Sequence, residues 1–228
     1  MTISQILAKE LAQKIEYIDN VIGLIDEGNT IPFIARYRKE MHGAMDDTAL
    51  RTLETRLQYL RNLQARREEV KSSIASQGKL TDELAAAIDA AATQAEVEDL
   101  YRPYKQKRRT RATVAKEKGL EPLALKLFEQ TGEDPETLAK DYIDPEKGVE
   151  TVEDALAGAM DIIAEEVSDN ADYRKFIRLY TIRNGVISSK ATNKEETEKK
   201  RDVYQMYHEF SEPLKAIARH RVLAINRG

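Results

Sequence analysis

The chain has 228 residues, 33% of them charged and 6% aromatic, with a formal net charge of −4 and neither Cys nor Trp. At roughly 150 residues per domain this length suits one large helical unit or two small ones, and 41% apolar residues supports a folded core over wholesale disorder. Zero Cys removes disulfides, thiolate metal sites and cysteine nucleophiles; no apolar run approaches the ~18 residues that span a bilayer, and the start is not that of a signal peptide, so a cytoplasmic protein is expected.

Apolar residues recur at spacings of three and four over most of the chain, so the predicted class is all-α. Ile3, Leu7, Leu11 and Ile15 share one face of a first helix, and Ile18, Ile22 and Ile25 lie on a second that stops at Gly28. Pro32 suits the first turn of a third, IPFIARYRKE. Asp46-Asp47 caps a segment in which Leu50, Leu53, Leu57, Leu60, Leu63, Val70 and Ile74 run on to Gly78. Such a helix would be about 45 Å long, longer than a small domain is wide, which makes it a strut between two lobes. A coiled-coil seam is the rival, although only about two heptads are regular.

Thr81 caps an alanine-rich helix through Ala92, and Thr93 with Glu96 forms a capping box for a helix ending before Pro103. Gly and Asp-Pro punctuation holds every helix between residues 112 and 145 to three turns or fewer. From Thr151 to Ser168 the apolar face is read as Val152, Leu156, Met160, Ile163 and Val167, and another helix runs from about Ala171 to Asn184-Gly185. Val186–Ser189 reads as extended, residues 193–201 as one solvated helix, and Ser211 as the cap of a short helix at 213–218. The end, Arg221–Gly228, reads as a β-prone stretch cut before it is finished.

Charge is strongly segregated. Residues 80–100 sum to −6, 101–118 to +7, 129–172 to −13 and 173–228 to +7. The sharpest element holds Lys105, Lys107, Arg108, Arg109 and Arg111 in seven residues, flanked by Tyr101 and Tyr104, which offer faces for a base or sugar. The competing readings are a solvated loop and an internal contact with the acidic 129–172 stretch; the arginine-rich centre favours phosphate.

Assembled chemistry is not found. His42, His208 and His220 have no second His or Cys at ligand spacing, and His208-Glu209 does not begin an HExxH helix because the fifth position is Glu212. No Gly-rich phosphate loop and no Gly-x-Ser-x-Gly elbow occurs. A binding or scaffolding unit is expected, with no enzyme activity, metal or cofactor.

Three stretches then carry a specific likeness: Thr30–Glu40 (TIPFIARYRKE), Glu98–Leu123 with its core LYRPYKQKRRTRA, and Arg219–Gly228 (RHRVLAINRG). In order and spacing they resemble the bacterial Tex transcription accessory proteins over the whole chain. The resemblance implies an N-terminal portion of a longer protein, lacking a later YqgF domain, helix-hairpin-helix motifs and an OB-fold nucleic-acid-binding domain. It also implies a small helix-turn-helix-like subdomain inserted at about 79–149. Residues 1–78 with about 150–214 would then form the helical lobe and strut, and 215–228 the start of the next region. Carried over by position, Arg36, Arg38 and Lys39 form an early basic motif, and Lys105, Lys107, Arg108, Arg109 and Arg111 a second. The expected function is backbone contact with RNA or DNA, weak, salt-sensitive and not sequence-specific. The alternative is a protein-interaction scaffold for RNA polymerase or ribosome-associated proteins; no membrane contact is expected.

Overall fold

The computed structural model describes residues 1–191 and 204–227 and is mostly helical, with one two-stranded sheet among the described residues. The solvated helix expected at 193–201 lies outside them. The chain divides into two compact units, Met1–Tyr104 and Lys105–Gly228.

The first unit opens with α1, Ile3–Glu10, whose start is fixed by a capping box: Thr2 Oγ1 accepts from Gln5 N, and Gln5 Oε1 from Thr2 N. Ala12, at φ 52°, ends this helix, so Ile15 does not continue the first face. It begins α2, Ile15–Asp26, and is 45% exposed. α3 is Ile31–Tyr37. The long helix α4 runs from Asp47 to Ser76, with the Asp46 carboxylate accepting from Ala49 N at 2.7 Å. α5, Asp82–Ala90, and α6, Gln94–Tyr101, are capped by Thr81 and Thr93 and pack on the second half of α4.

α4 serves two cores. Leu50, Leu53, Leu57 and Leu60 join Leu7, Ile18, Val21, Leu24, Ile31 and Ile34, while Leu63, Val70 and Ile74 join Ile88, Ala91 and Val97. The apolar seam that raised the coiled-coil alternative is filled by this chain's own helices. The 30-residue helix runs along both of these cores within the first unit.

The second unit is built around small residues. α7, Arg111–Glu117, turns at Gly119 (φ 85°) into α8, Glu121–Phe128; the short α9 is Pro135–Ala139. Across them lies α10, Val152–Asp169. Its buried face is Ala155, Ala159 and Ile162, packed with Ala112, Ala115, Leu120 and Leu123. Met160 and Val167, expected in that face, are 61% and 38% exposed. The face is rotated because α7 approaches so closely that only Ala and Gly fit: a Cβ on Gly158 would lie well inside van der Waals contact of Leu120 and 3.4 Å from Ala115 Cβ.

α11, Ala171–Asn184, buries no residue and leaves Phe176, Ile177 and Tyr180 at least 60% exposed. β1, Val186–Lys190, pairs antiparallel with β2, Glu209–Pro213. Two expectations reverse here. The helix expected at 213–218 is absent: Ser211 and Pro213 lie in β2, which forms because β1 supplies a ladder partner, and residues 214–216 make a turn. Arg219–Ile225 is helical, since strand propensity without a pairing edge carries little weight.

Candidate nucleic-acid interface

The basic motif at 105–111 lies between a 3₁₀ turn, Arg102–Tyr104, and the Thr110 cap of α7, whose Oγ1 accepts from Thr113 N at 3.0 Å. Lys107 Nζ donates to the Asp169 carboxylate and sits 3.4 Å from Glu165. Arg111 lies 3.3 Å from Asp161. The three acids stand at i, i+4 and i+8 on α10, one face of a helix that rises about 6 Å per step. Arg109 pairs with Glu117 at 2.6 Å. Lys105 and Arg108 are exposed and have no carboxylate partner among the described residues.

The internal contact weighed from the charge segregation is thus present for Lys107 and Arg111, while Lys105 and Arg108 stay outside it. The two aromatics that flank the motif are partly committed to the fold. Tyr101 bonds Ser73 Oγ at 3.0 Å and lies under the Arg66 guanidinium, and Tyr104 accepts from Gln77 Nε2 through its carbonyl. Both pack on the core of Leu63, Val70 and Ile88. A tyrosine beside a basic run reads as a stacking face only if its ring is not already spent on packing, and helical spacing back to α4 decides that.

Arg36, Arg38 and Lys39 come together at the C-terminal end of α3. Ile31 and Ile34 bury the inner face of that helix, which turns Phe33 and Tyr37 outward. Arg36 and Arg38 lie 6.0 Å and 5.3 Å from the Tyr37 and Phe33 rings, and none of the three cations has a carboxylate partner among the described residues. Cations here also suit the negative end of the helix dipole. The loop that follows is held in place: Met41 N donates to Arg38 O, Asn20 Nδ2 to Met41 O, and His42 and Met45 are buried. Glu40 is the one acid in the motif. Tyr37, 57% exposed beside Arg36, belongs to no charge or ligand motif, and what marks it is its position six residues after the buried Ile31, on the unburied side of a short amphipathic helix.

Elsewhere the arginines near aromatic rings are saturated. Arg56 lies 4.8 Å from Tyr59 and forks onto Glu10 with two 2.7 Å hydrogen bonds, which hold the Glu10 carboxyl below its ordinary 4.5. Arg66 is bound to Glu98 and Glu69, and these hydrogen bonds raise its pKa further. Among the described residues no three His, Asp or Glu side chains are grouped to hold a metal ion, and no helix is long and apolar enough to cross a membrane.

Two family models match the chain: the Tex-like protein N-terminal domain over residues 1–75 and the Tex central region-like domain over 130–228. The chain belongs to the Tex family. It is 46% identical over 222 residues to the protein tex of Bordetella pertussis, covering 97% of this chain and 28% of that protein. To the transcriptional accessory protein Tex of Neisseria gonorrhoeae it is 42% identical over 228 residues, 100% of this chain and 30% of that one. The human S1 RNA-binding domain-containing protein 1 is 35% identical over 215 residues, 92% of this chain and 21% of its own length. The chain therefore spans less than a third of these Tex-family relatives. The central-region match takes in α10, with its carboxylate row, and the exposed α11.

Proposed function

We propose that this Tex-family chain is a non-enzymatic helical scaffold that adds a sequence-independent contact to nucleic-acid backbone in the cytoplasm. The observation that carries it is the set Arg36, Arg38 and Lys39, exposed on a pinned helix end with no carboxylate partner among the described residues. Arg108 and Lys105 offer a second contact from the 105–111 motif, in which the other cations are already paired. A relative named for an RNA-binding domain and another named as a transcriptional accessory protein support the same class of partner. The action is positioning: guanidinium and ammonium groups hold phosphates and read no base edge. Helix α8, which follows the tight turn after α7, carries one acid and one base and leaves Leu125 and Phe128 exposed, a poor surface for reading a major groove.

The test is binding of a labelled oligonucleotide across a salt series. Replacing Arg36, Arg38 and Lys39 with Ala removes three phosphate contacts and is expected to flatten the log–log salt slope by about 2 for a single strand. An unchanged slope in a folded triple variant rejects this site. A second reading, a scaffold for the transcription or ribosomal machinery, is favoured by the unburied apolar stripe Tyr173, Phe176, Ile177 and Tyr180 on α11. Under it, Phe176→Glu with Tyr180→Glu abolishes retention of purified RNA polymerase or ribosomes and leaves oligonucleotide binding intact.

A further inference from the structure

We infer that Tyr37 is a stacking platform for an unpaired base of single-stranded nucleic acid, with Phe33 bracing it and Arg36, Arg38 and Lys39 holding the adjoining phosphates. The inference rests on the proposed backbone contact and adds to it a preference for unpaired strands.

The first support is how α3 is built. Ile31 and Ile34 are 2% and 0% exposed, so the same helical turn presents Phe33 and Tyr37 together on the outer face, one turn apart. Their ring centroids are 5.3 Å apart with planes inclined at 46°. Phe33, half-buried, anchors the pair, and Tyr37 keeps most of its ring in water. Helix stabilisation accounts for the contact between the two rings. It does not account for Arg36 and Arg38 against those rings and Lys39 next in sequence, with Glu40 the one acid in the motif.

The second support is a comparison within the molecule. Arg56 at Tyr59 and Arg66 at Tyr101 show what an arginine beside a ring does when its role is structural: each guanidinium is hydrogen-bonded to carboxylate, and each ring is tied to the fold through its hydroxyl, Tyr59 to Gln94 N and Tyr101 to Ser73. At α3 neither condition holds. The guanidiniums of Arg36 and Arg38 have no carboxylate partner among the described residues, and no hydrogen bond to the Tyr37 hydroxyl is found there. Among the described residues Arg38 Nη1 donates only to the Tyr37 carbonyl, at 3.2 Å, so an open ring beside cations without a carboxylate matches a nucleotide, which is itself a ring joined to an anion. A base in a duplex has both faces covered by its neighbours, so only an unpaired one can use this platform. Because the loop after α3 is pinned by Asn20 and by buried His42 and Met45, little ordering is needed on binding.

The absence of Trp from the sequence gives a clean probe, since Tyr37→Trp places a single indole at the site. The 228-residue chain carrying that substitution is titrated with a single-stranded DNA of about 15 nucleotides, the RNA of the same sequence, the DNA duplex, and the same single strand carrying abasic sites. Quenching of the indole emission by both single strands, with little change on adding the duplex or the abasic strand, is expected; quenching by the RNA alone would assign the platform to RNA. In parallel, Tyr37→Ala weakens single-strand binding about tenfold and leaves duplex and abasic binding within about twofold, while Tyr37→Phe restores it. A Tyr37→Ala protein that melts like the wild type and binds every probe equally well overturns the inference. If the Arg36, Arg38 and Lys39 variant nevertheless loses affinity for all probes, the backbone contact stands without the platform; if it loses none, both fall.

Discussion

The cations of the 105–111 motif should separate into those that hold the fold and those that do not, although they are neighbours in sequence. Lys107 faces two acids of α10: its side chain is 30% exposed, Glu165 is 25% exposed and Asp169 11%. At 3.4 Å and an effective dielectric of about 20, the Lys107–Glu165 attraction alone is about 5 kcal/mol before desolvation and side-chain ordering are charged against it. Exposed pairs retain about 0–1 kcal/mol of such attraction, and breaking a fully buried pair costs about 3–5. This pair lies between those limits, so Lys107→Met should destabilise the second unit by about 1–3 kcal/mol. Arg108→Ala should cost under about 0.5 kcal/mol, as surface changes do. Arg111 is 87% exposed and should behave like Arg108 in stability despite its contact with Asp161. Urea melts monitored by circular dichroism would measure the difference, and a cycle with Asp169→Asn isolates the coupling. Raising salt should weaken the Lys107 effect only slightly. Equal loss of stability for Lys107→Met and Arg108→Ala would refute the division, as would a coupling near zero.

Three further outcomes follow from the packing and the ion pairs. Gly158→Ala gains about 1 kcal/mol of helix propensity but inserts a methyl against buried Leu120 and Ala115, an overpacking of about 1–3 kcal/mol, so thermal melts should show net destabilisation. Asp46→Ala removes the cap of α4 and should cost about 1 kcal/mol by the same assay; Asp46→Asn should recover most of it. The Glu10 carboxyl is held below its ordinary 4.5 by Arg56, so its pair contributes stability above that pH and loses it as pH falls through the lower folded value. The melting-point gap between wild type and Glu10→Gln should therefore close on acidification from about pH 6 to about pH 3, and a gap independent of pH would contradict the assignment.

What the sequence disclosed depended on how local the deciding force was. The caps at Asp46, Thr81 and Thr93 and the leucine row of α4 are written within a few residues, and each element stands where that local chemistry puts it. The buried face of α10 is set by how near α7 comes. Ala155, Gly158 and Ala159 look weakly apolar beside Met160 and Val167, yet only the small residues admit a close neighbour. The helix expected at 213–218 and the strand expected from Arg221 fail for the same reason, because a strand exists only where another strand pairs with it. At the candidate site, the cations are legible in sequence and their partners are not. Asp161, Glu165 and Asp169 lie fifty or more residues beyond Lys107 and Arg111.

That distinction changes which basic motif matters more to a polyanion. Across about 8 Å, the screening length in physiological salt, a phosphate responds to local charge and hardly at all to the total of −4. Near Lys107 and Arg111 it meets the carboxylates of α10 at the same range, so a phosphate gains there only by displacing an acid already in place. Near Arg36, Arg38 and Lys39 it meets Glu40 alone in the motif, and no ion pair among the described residues has to break. The denser run of cations is the more conspicuous in sequence, while the sparser one offers more uncommitted charge for each cation. Single neutralisations at Arg36 or Arg38 should consequently weaken oligonucleotide binding more than Lys107→Met does, even though Lys107→Met harms the fold more. Binding measured well below the melting point of each variant separates the two effects, and an affinity order with Lys107 first would place the phosphate contact on the 105–111 motif instead.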